Sequence, residues 1–228
     1  ARAEAARLKA DGVAVVVAVT HSGVLEDRQL AAAVPDIALI VGGHSHTLIE
    51  EPIRVGETLI VQAGSSLSHL GVLDVALDVA TGRIRLLNGE RTEPYVVPLD
   101  PSVASDPIVK AGVDAYTAEL DRLLADWSGG RVTSAMQVLT YAGFDLPNTP
   151  ELQETPMGNF VTDAMRFGVA EATGAPVDVA FLANGVIRGA VAAGPVPFYD
   201  IASHTGLGSG PDFTPGYPLV SVYLTGTE

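Results

Sequence analysis

The chain contains no cysteine among its 228 residues. That excludes disulfides, zinc–thiolate sites and thiol nucleophiles, and leaves histidine and carboxylate chemistry as routes to a reactive centre. Basic residues are also scarce: 13 Lys and Arg stand against 27 Asp and Glu, a formal net charge of -14. A nucleic acid polymer is repelled by such a chain except at a local positive feature, and a bound divalent metal would be one. Hydrophobic residues make up 47% of the sequence, yet no apolar run is long enough to cross a membrane. Residues 1–9 carry charges at Arg2, Glu4, Arg7 and Lys9 with no apolar core between them, so they read as a helix already under way and not as a signal peptide.

What is present is an α/β alternation. A β-branched run at 13–19, bounded by Asp11-Gly12 and a polar loop, predicts a strand buried on both faces. A helix follows around 26–33 with acids in its first turn, then a second buried strand at 37–41. A strand–helix–strand unit of this length favours parallel strands, whose carboxyl-end loops share one edge of the sheet. Those loops are Thr20-His21-Ser22-Gly23 and Gly42-Gly43-His44-Ser45-His46-Thr47. Open α/β sheets place ligands at that edge, so His21, His44 and His46 are candidates to converge on a metal. A lone histidine in such a place caps a turn; three at neighbouring strand ends point to ligands.

Beyond residue 58 the pattern turns to short strands: 58–62, then an alternating run at 73–79 that pairs through Thr81-Gly82 with 83–86. The clearest helix starts at Asp106-Pro107, repeats apolar residues at Val109, Val113, Tyr116, Leu120 and Leu123, and stops at Gly129. A second runs from Met157 to Ala172 with Gly174 as its stop. Buried strands are expected at 177–182, emptying into Asn184-Gly185-Val186-Ile187-Arg188, and at 218–224. The glycine run from Gly206 to Gly210 has no strand and helix correctly placed around it, which rules out a dinucleotide loop. Both ends of the chain read as cut from something longer.

The two histidine loops, the Met157-Gly158-Asn159 helix start and the Asn184–Arg188 loop occur in an order that resembles the 5'-nucleotidase and UDP-sugar hydrolase family of two-domain metallophosphoesterases. Val61-Gln62-Ala63-Gly64 and Leu70-Gly71 fit the same pattern. The resemblance implies an α/β fold in three stretches. Residues 1–100 would be the C-terminal part of a calcineurin-like, layered metallophosphatase domain. Residues 101–128 would be a linker with a spacer helix, and 129–228 a partial 5'-nucleotidase C-terminal substrate domain. It implies two divalent metal ions, zinc, manganese or similar, with His21 and His44 on one and His46 on the other. Arg188 would grip a substrate phosphate and Asn184 would stand near the base. The substrate would be a nucleotide or another small phosphoester, and the setting secreted, periplasmic or at the cell surface.

The sequence also departs from that pattern. The family's Asp-x-His, Gly-Asp and Gly-Asn-His-Glu motifs, the last of which carries its catalytic histidine, do not occur in residues 1–228. The expectation is that this chain alone holds no catalytic residue, binds its metals incompletely and turns over poorly or not at all. A second phosphate-binding arginine of the family is replaced by Glu151-Leu152-Gln153-Glu154, and its first base-stacking phenylalanine by Gly206-Leu207-Gly208. Phe198, Tyr199, Phe213 and Tyr217 are the nearest aromatics in sequence. Hydrolysis of another ester, such as a nucleotide diphosphate sugar, a cyclic nucleotide or a sulfur ester, and a degenerate, non-catalytic binding module are the rival expectations.

Overall fold

The structure is a computed structural model describing residues 1–149, 153–210, 216–225 and 227. It falls into two compact units, Ala1–Ser105 and Asp106–Glu228. The first begins with α1 (Arg2–Ala10), β1 (Val16–Val19), α2 (Val24–Ala33), β2 (Ile37–Val41), β3 (Ile53–Val55) and β4 (Thr58–Val61). These strands form one sheet in the order β1-β2-β4-β3. β1, β2 and β4 run parallel, while β3 returns antiparallel to β4. The parallel pairing expected of the helical crossover is therefore present.

The core of this unit lies where α1 and α2 cover the sheet: Ala5, Ala31, Val34, Ile37, Ile40 and Ile60 are all buried in one cluster. Burying branched aliphatic side chains contributes about 1.5–3 kcal/mol each, which makes β2 and β4 the firm centre of the sheet. β1 is less buried than its composition suggests. It stands at the sheet edge, and alternate residues Val17 and Val19 are 49% and 83% exposed, so one of its faces is open instead of covered. The strand also starts only at Val16, three residues later than the apolar run.

The unit continues with β5 (His69–Gly71), β6 (Val75–Asp78), β7 (Arg83–Leu86), α3 (Asn88–Arg91) and β8 (Val96–Pro98). β6 and β7 form the expected hairpin, and β5 pairs antiparallel with β8. One side chain ties this region together. Asn88 is fully buried. Its Oδ1 accepts from the Asp74 N–H at 2.7 Å, and its Nδ2 donates to the carbonyls of Val72 at 3.1 Å and Pro94 at 3.2 Å. Asparagine supplies acceptor and donor at once, so a buried polar group is satisfied on both sides.

The second unit contains α4 (Pro107–Ser128), β9 (Val138–Ala142), α5 (Pro156–Thr173), β10 (Gly194–Pro197) and α6 (Phe198–Thr205). β9 and β10 pair antiparallel. The sequence signals at Asp106, Gly129 and Gly174 are met, and α5 starts one residue before Met157 with Thr155 as a cap the sequence reading did not name. Asp106 Oδ1 accepts from the N–H groups of Ile108 and Val109, Thr155 Oγ1 accepts from Gly158 N–H, and Gly129 and Gly174 take the left-handed conformation that ends each helix. The core is Met157, Val161, Ile187, Val191 and Val196.

Three expectations differ here. The α4 stripe is not buried along its first turns: Val109, Val113 and Tyr116 are exposed, and Leu124 near its end is the buried residue. Among the described residues, 177–182 and 218–224 form no ladder. Val179 and Phe181 are exposed, as are Val220 and Tyr223. A strand exists only through hydrogen bonds to a neighbour, and β-branched composition without a paired neighbour gives an extended segment and no more.

Replacing Asn88 by Ala strands one N–H and two carbonyls, and is expected to destabilise the first unit by about 1–3 kcal/mol. Urea unfolding checks this, with the midpoint falling and the slope unchanged.

Candidate functional site

The two histidine loops leave the sheet side by side. Thr20 N–H donates to the Val41 carbonyl at 3.0 Å and Gly42 N–H to the Val61 carbonyl at 2.8 Å, so pairing continues into the first residue of each loop. The His21 and His44 rings then meet edge to face, with centroids 5.3 Å apart and planes inclined at 69°.

Each glycine of the second loop has a steric reason. A Cβ on Gly42 would stand 2.4 Å from Asp27 Oδ2, and one on Gly43 would stand 3.0 Å from His21 Nδ1. Gly42 leaves room for a carboxylate, and Gly43 leaves room for the imidazole. Asp27, in the first turn of α2, is completely buried. Its Oδ1 accepts from Thr20 Oγ1 at 2.7 Å, while Oδ2 accepts no hydrogen bond among the described residues. The carboxylate therefore bonds one histidine loop and abuts the other.

The backbone of the second loop is unusual. His44 and His46 have φ of 76° and 53°, in the left-handed region that side chains larger than glycine seldom adopt. Ser45 and Thr47 are fixed around them. Ser45 Oγ accepts from Val24 N–H at 3.3 Å and donates to Gln62 Oε1 at 3.0 Å, and Thr47 N–H donates to the same Oε1 at 3.0 Å. Sequence reasoning singled out the histidines, gave Gln62 no role beyond its place in Val61-Gln62-Ala63-Gly64, and gave Asp27 none. Gln62 carries a signal, a polar residue just after the apolar strand β4, while Asp27 stands among Glu26, Arg28 and Gln29 and carries none.

An imidazole pair at this separation suits two nitrogen donors of one divalent metal. Among the described residues, no group of three or more His, Cys, Asp or Glu that could hold a metal ion is assembled. His21 and His44 are thus brought together, while the full donor set implied for two metals is not formed by these residues. His46 lies in the same loop, exposed like His44.

In the second unit, Asn184 opens a short 3-10 turn, Asn184–Val186, and Arg188 follows it, exposed. Arg188 N–H donates to the His204 carbonyl at 2.7 Å, and its guanidinium donates to the Gly185 carbonyl at 3.1 Å. Asn184 Oδ1 is buried and accepts no hydrogen bond among the described residues. Asn148 Nδ2 donates to the Ile187 carbonyl at 3.1 Å, and its Oδ1 accepts from Thr155 Oγ1 at 3.0 Å, which links the Arg188 loop to the start of α5. The Tyr217 ring lies against Gly208, where a Cβ would come within 2.4 Å of it. Phe213 and the Glu151-Leu152 pair lie outside the described residues.

With this geometry in hand, the chain can be set beside known proteins. The family model described as "5'-nucleotidase, C-terminal domain" matches residues 130–228. The trifunctional nucleotide phosphoesterase protein YfkN of Bacillus subtilis is 29% identical over 192 residues, which is 82% of this chain and 12% of that protein. Among solved structures, the 5'-nucleotidase precursor from Thermus thermophilus aligns with a TM-score of 0.70 at 24% identity, over 89% of this chain and 40% of that one. The sulfate thiohydrolase SoxB of the same species aligns with a TM-score of 0.60 at 19% identity, over 90% of this chain and 34% of that one. The chain thus spans well under half the length of these relatives. The resemblance read from the motifs and the mixed α/β fold are both borne out.

The close approach at Gly42 gives a direct test. Gly42→Ala drives a methyl into the buried Asp27 carboxylate and is expected to cost about 1–3 kcal/mol. In an Asp27→Ala background the same change should cost less, with a coupling of about 0.5–3 kcal/mol in a double-mutant cycle read by urea unfolding.

Proposed function

We propose, from the premise that residues 130–228 match the 5'-nucleotidase C-terminal domain and that the chain resembles such proteins over most of its length, that this sequence is part of a metal-dependent hydrolase. Its substrates are nucleotides or related small phosphoesters. The observation that carries the reading is the meeting of the His21 and His44 rings 5.3 Å apart, at the strand-end edge where α/β sheets take ligands. In this reading His21 and His44 donate to one divalent metal and His46 to a second. Zinc, manganese or a similar ion, when bound, polarises a phosphoryl oxygen and makes water a stronger acid.

The chain's own residues supply recognition. Arg188 presents a planar fork of N–H donors to the phosphate oxygens, a geometry that lysine cannot copy. Asn184 stands on the base side, four residues earlier on the same loop. The net charge of -14 disfavours long polyanions everywhere except at such a local cationic feature. A small phosphoester therefore suits the chain better than a nucleic acid polymer. Residues 1–100 serve as the C-terminal half of the metallophosphatase domain, 101–128 as a linker with a spacer helix, and 129–228 as part of the substrate domain. The transition-state histidine belongs to the Gly-Asn-His-Glu motif that these 228 residues lack, so the chain by itself is inactive. The protein works in a secreted, periplasmic or cell-surface setting; among the described residues, no helix is long and apolar enough to cross a membrane.

The test uses the intact natural protein carrying this sequence, assayed on adenosine monophosphate, a nucleotide diphosphate sugar, a cyclic nucleotide and a sulfur ester. Phosphate release from the monophosphate, lost on chelation and restored by zinc or manganese, is expected. His44→Ala should lower kcat/KM by roughly 10- to 100-fold or more. Arg188→Ala should raise KM by roughly 10- to 100-fold, the worth of one or two charge-assisted hydrogen bonds. Metal-independent turnover, or Arg188→Ala with unchanged KM, contradicts the assignment. Turnover confined to another ester moves the substrate class, and no turnover on any of them favours a non-catalytic binding module.

A further inference from the structure

We infer that Gln62 is the positioning residue of the His44–His46 loop; its purpose rests on reading that loop as metal-binding, but its geometry does not. Gln62 lies outside the histidine motif, one residue past the end of the neighbouring strand β4, and is only 5% exposed. Thr58, Leu59 and Ile60 before it are buried, so the position invites an apolar residue. A carboxamide there has to be explained by what it bonds.

It bonds the loop from both sides of His46. Ser45 Oγ and Thr47 N–H each donate to Gln62 Oε1 at 3.0 Å. A backbone N–H can only donate, so the atom facing it is the carboxamide oxygen and the amide's orientation is fixed. The main chain adds to the grip: Ile49 N–H donates to the Gln62 carbonyl at 2.9 Å, and Gly64 N–H to the Thr47 carbonyl at 3.1 Å. Ser45 Oγ also lies 2.9 Å from Thr47 Oγ1, which closes a ring of hydroxyls and amide around the turn. The two non-glycine residues of this loop held in the left-handed region, His44 and His46, are the residues immediately before and between the two that Gln62 anchors. Such backbone persists only where its surroundings over-determine it. Gln62 supplies that constraint and so sets the direction in which both imidazoles leave the chain.

The experiment compares the full chain with Gln62→Met, which keeps the length but puts a methyl group where the carboxamide oxygen was, and Gln62→Glu, which keeps an oxygen acceptor. In the metal-free proteins, nuclear magnetic resonance reads the intraresidue HN–Hα Overhauser effect of His44 and His46, which is strong only at positive φ. Strong effects are expected in the native chain and in Gln62→Glu, and loss of both in Gln62→Met. Cobalt(II) affinity is expected to fall roughly 10- to 100-fold in Gln62→Met and to be largely kept in Gln62→Glu. Unchanged Overhauser effects in Gln62→Met overturn the inference. If Gln62→Met does not fold, Ser45→Ala removes one of the two hydrogen bonds at an exposed residue. Weakened effects at His46 then support the role, and unchanged ones overturn it. A native chain that shows the Overhauser pattern but binds no cobalt leaves the positioning role standing, and chelation of the intact natural protein then decides the metal reading.

Discussion

The parallel pairing of β1 with β2 is the constraint on which the candidate metal loops depend. Val19 faces Val41 in the register, so both strands end level and both loops start from one edge. With strands of 4 and 5 residues, an antiparallel pairing would put the two loops at opposite ends of the sheet, roughly 13–17 Å apart. The helical crossover α2 permits the parallel arrangement and also supplies Asp27, which sits under both loops. Left-handed backbone at His44 and His46 costs about 1–3 kcal/mol each. That cost is borne by the packed centre beneath, where Ile40, Leu59 and Ile60 are almost wholly excluded from solvent.

The second unit uses a different device to the same end. Thr155 serves twice, accepting from Gly158 N–H as the cap of α5 and donating to Asn148, which in turn holds the carbonyl of Ile187 beside Arg188. Gly158 is needed because a Cβ there would stand 2.9 Å from the Thr155 hydroxyl. Met157 is fully buried in the same cluster as Ile187. The Met-Gly-Asn motif is therefore partly explained by packing: methionine anchors the helix start, and glycine lets the cap close. What the pair secures is the position of the loop that carries Arg188.

The difference between what was legible in the sequence and what was not follows from the range of each interaction. The strands at 37–41 and 58–61, the helix ends at Asp106, Gly129 and Gly174, and the pairing of the histidine loops rest on local pattern, and local pattern is written in the sequence. The runs at 177–182 and 218–224 have strand composition, but a strand needs a partner, and composition says nothing about where the partner is. The exposed faces of β1 and α4 fail for the same reason: an apolar stripe shows that a face can be covered, not that it is. Asp27 and Gln62 lie at the other extreme. Gln62 follows an apolar strand and Asp27 stands among Glu26, Arg28 and Gln29, and taken alone either resembles a surface position. Their meaning comes from residues far along the chain, 15 or more positions away for Gly42 and for Ser45 and Thr47. A polar residue on the inward side of a buried element is nonetheless an observation available from sequence, because burial without a partner is costly. For Gln62 the inward position predicts a partner and the strained histidine loop supplies it, whereas Asp27 bonds Thr20 through Oδ1 and leaves Oδ2 without a hydrogen bond among the described residues.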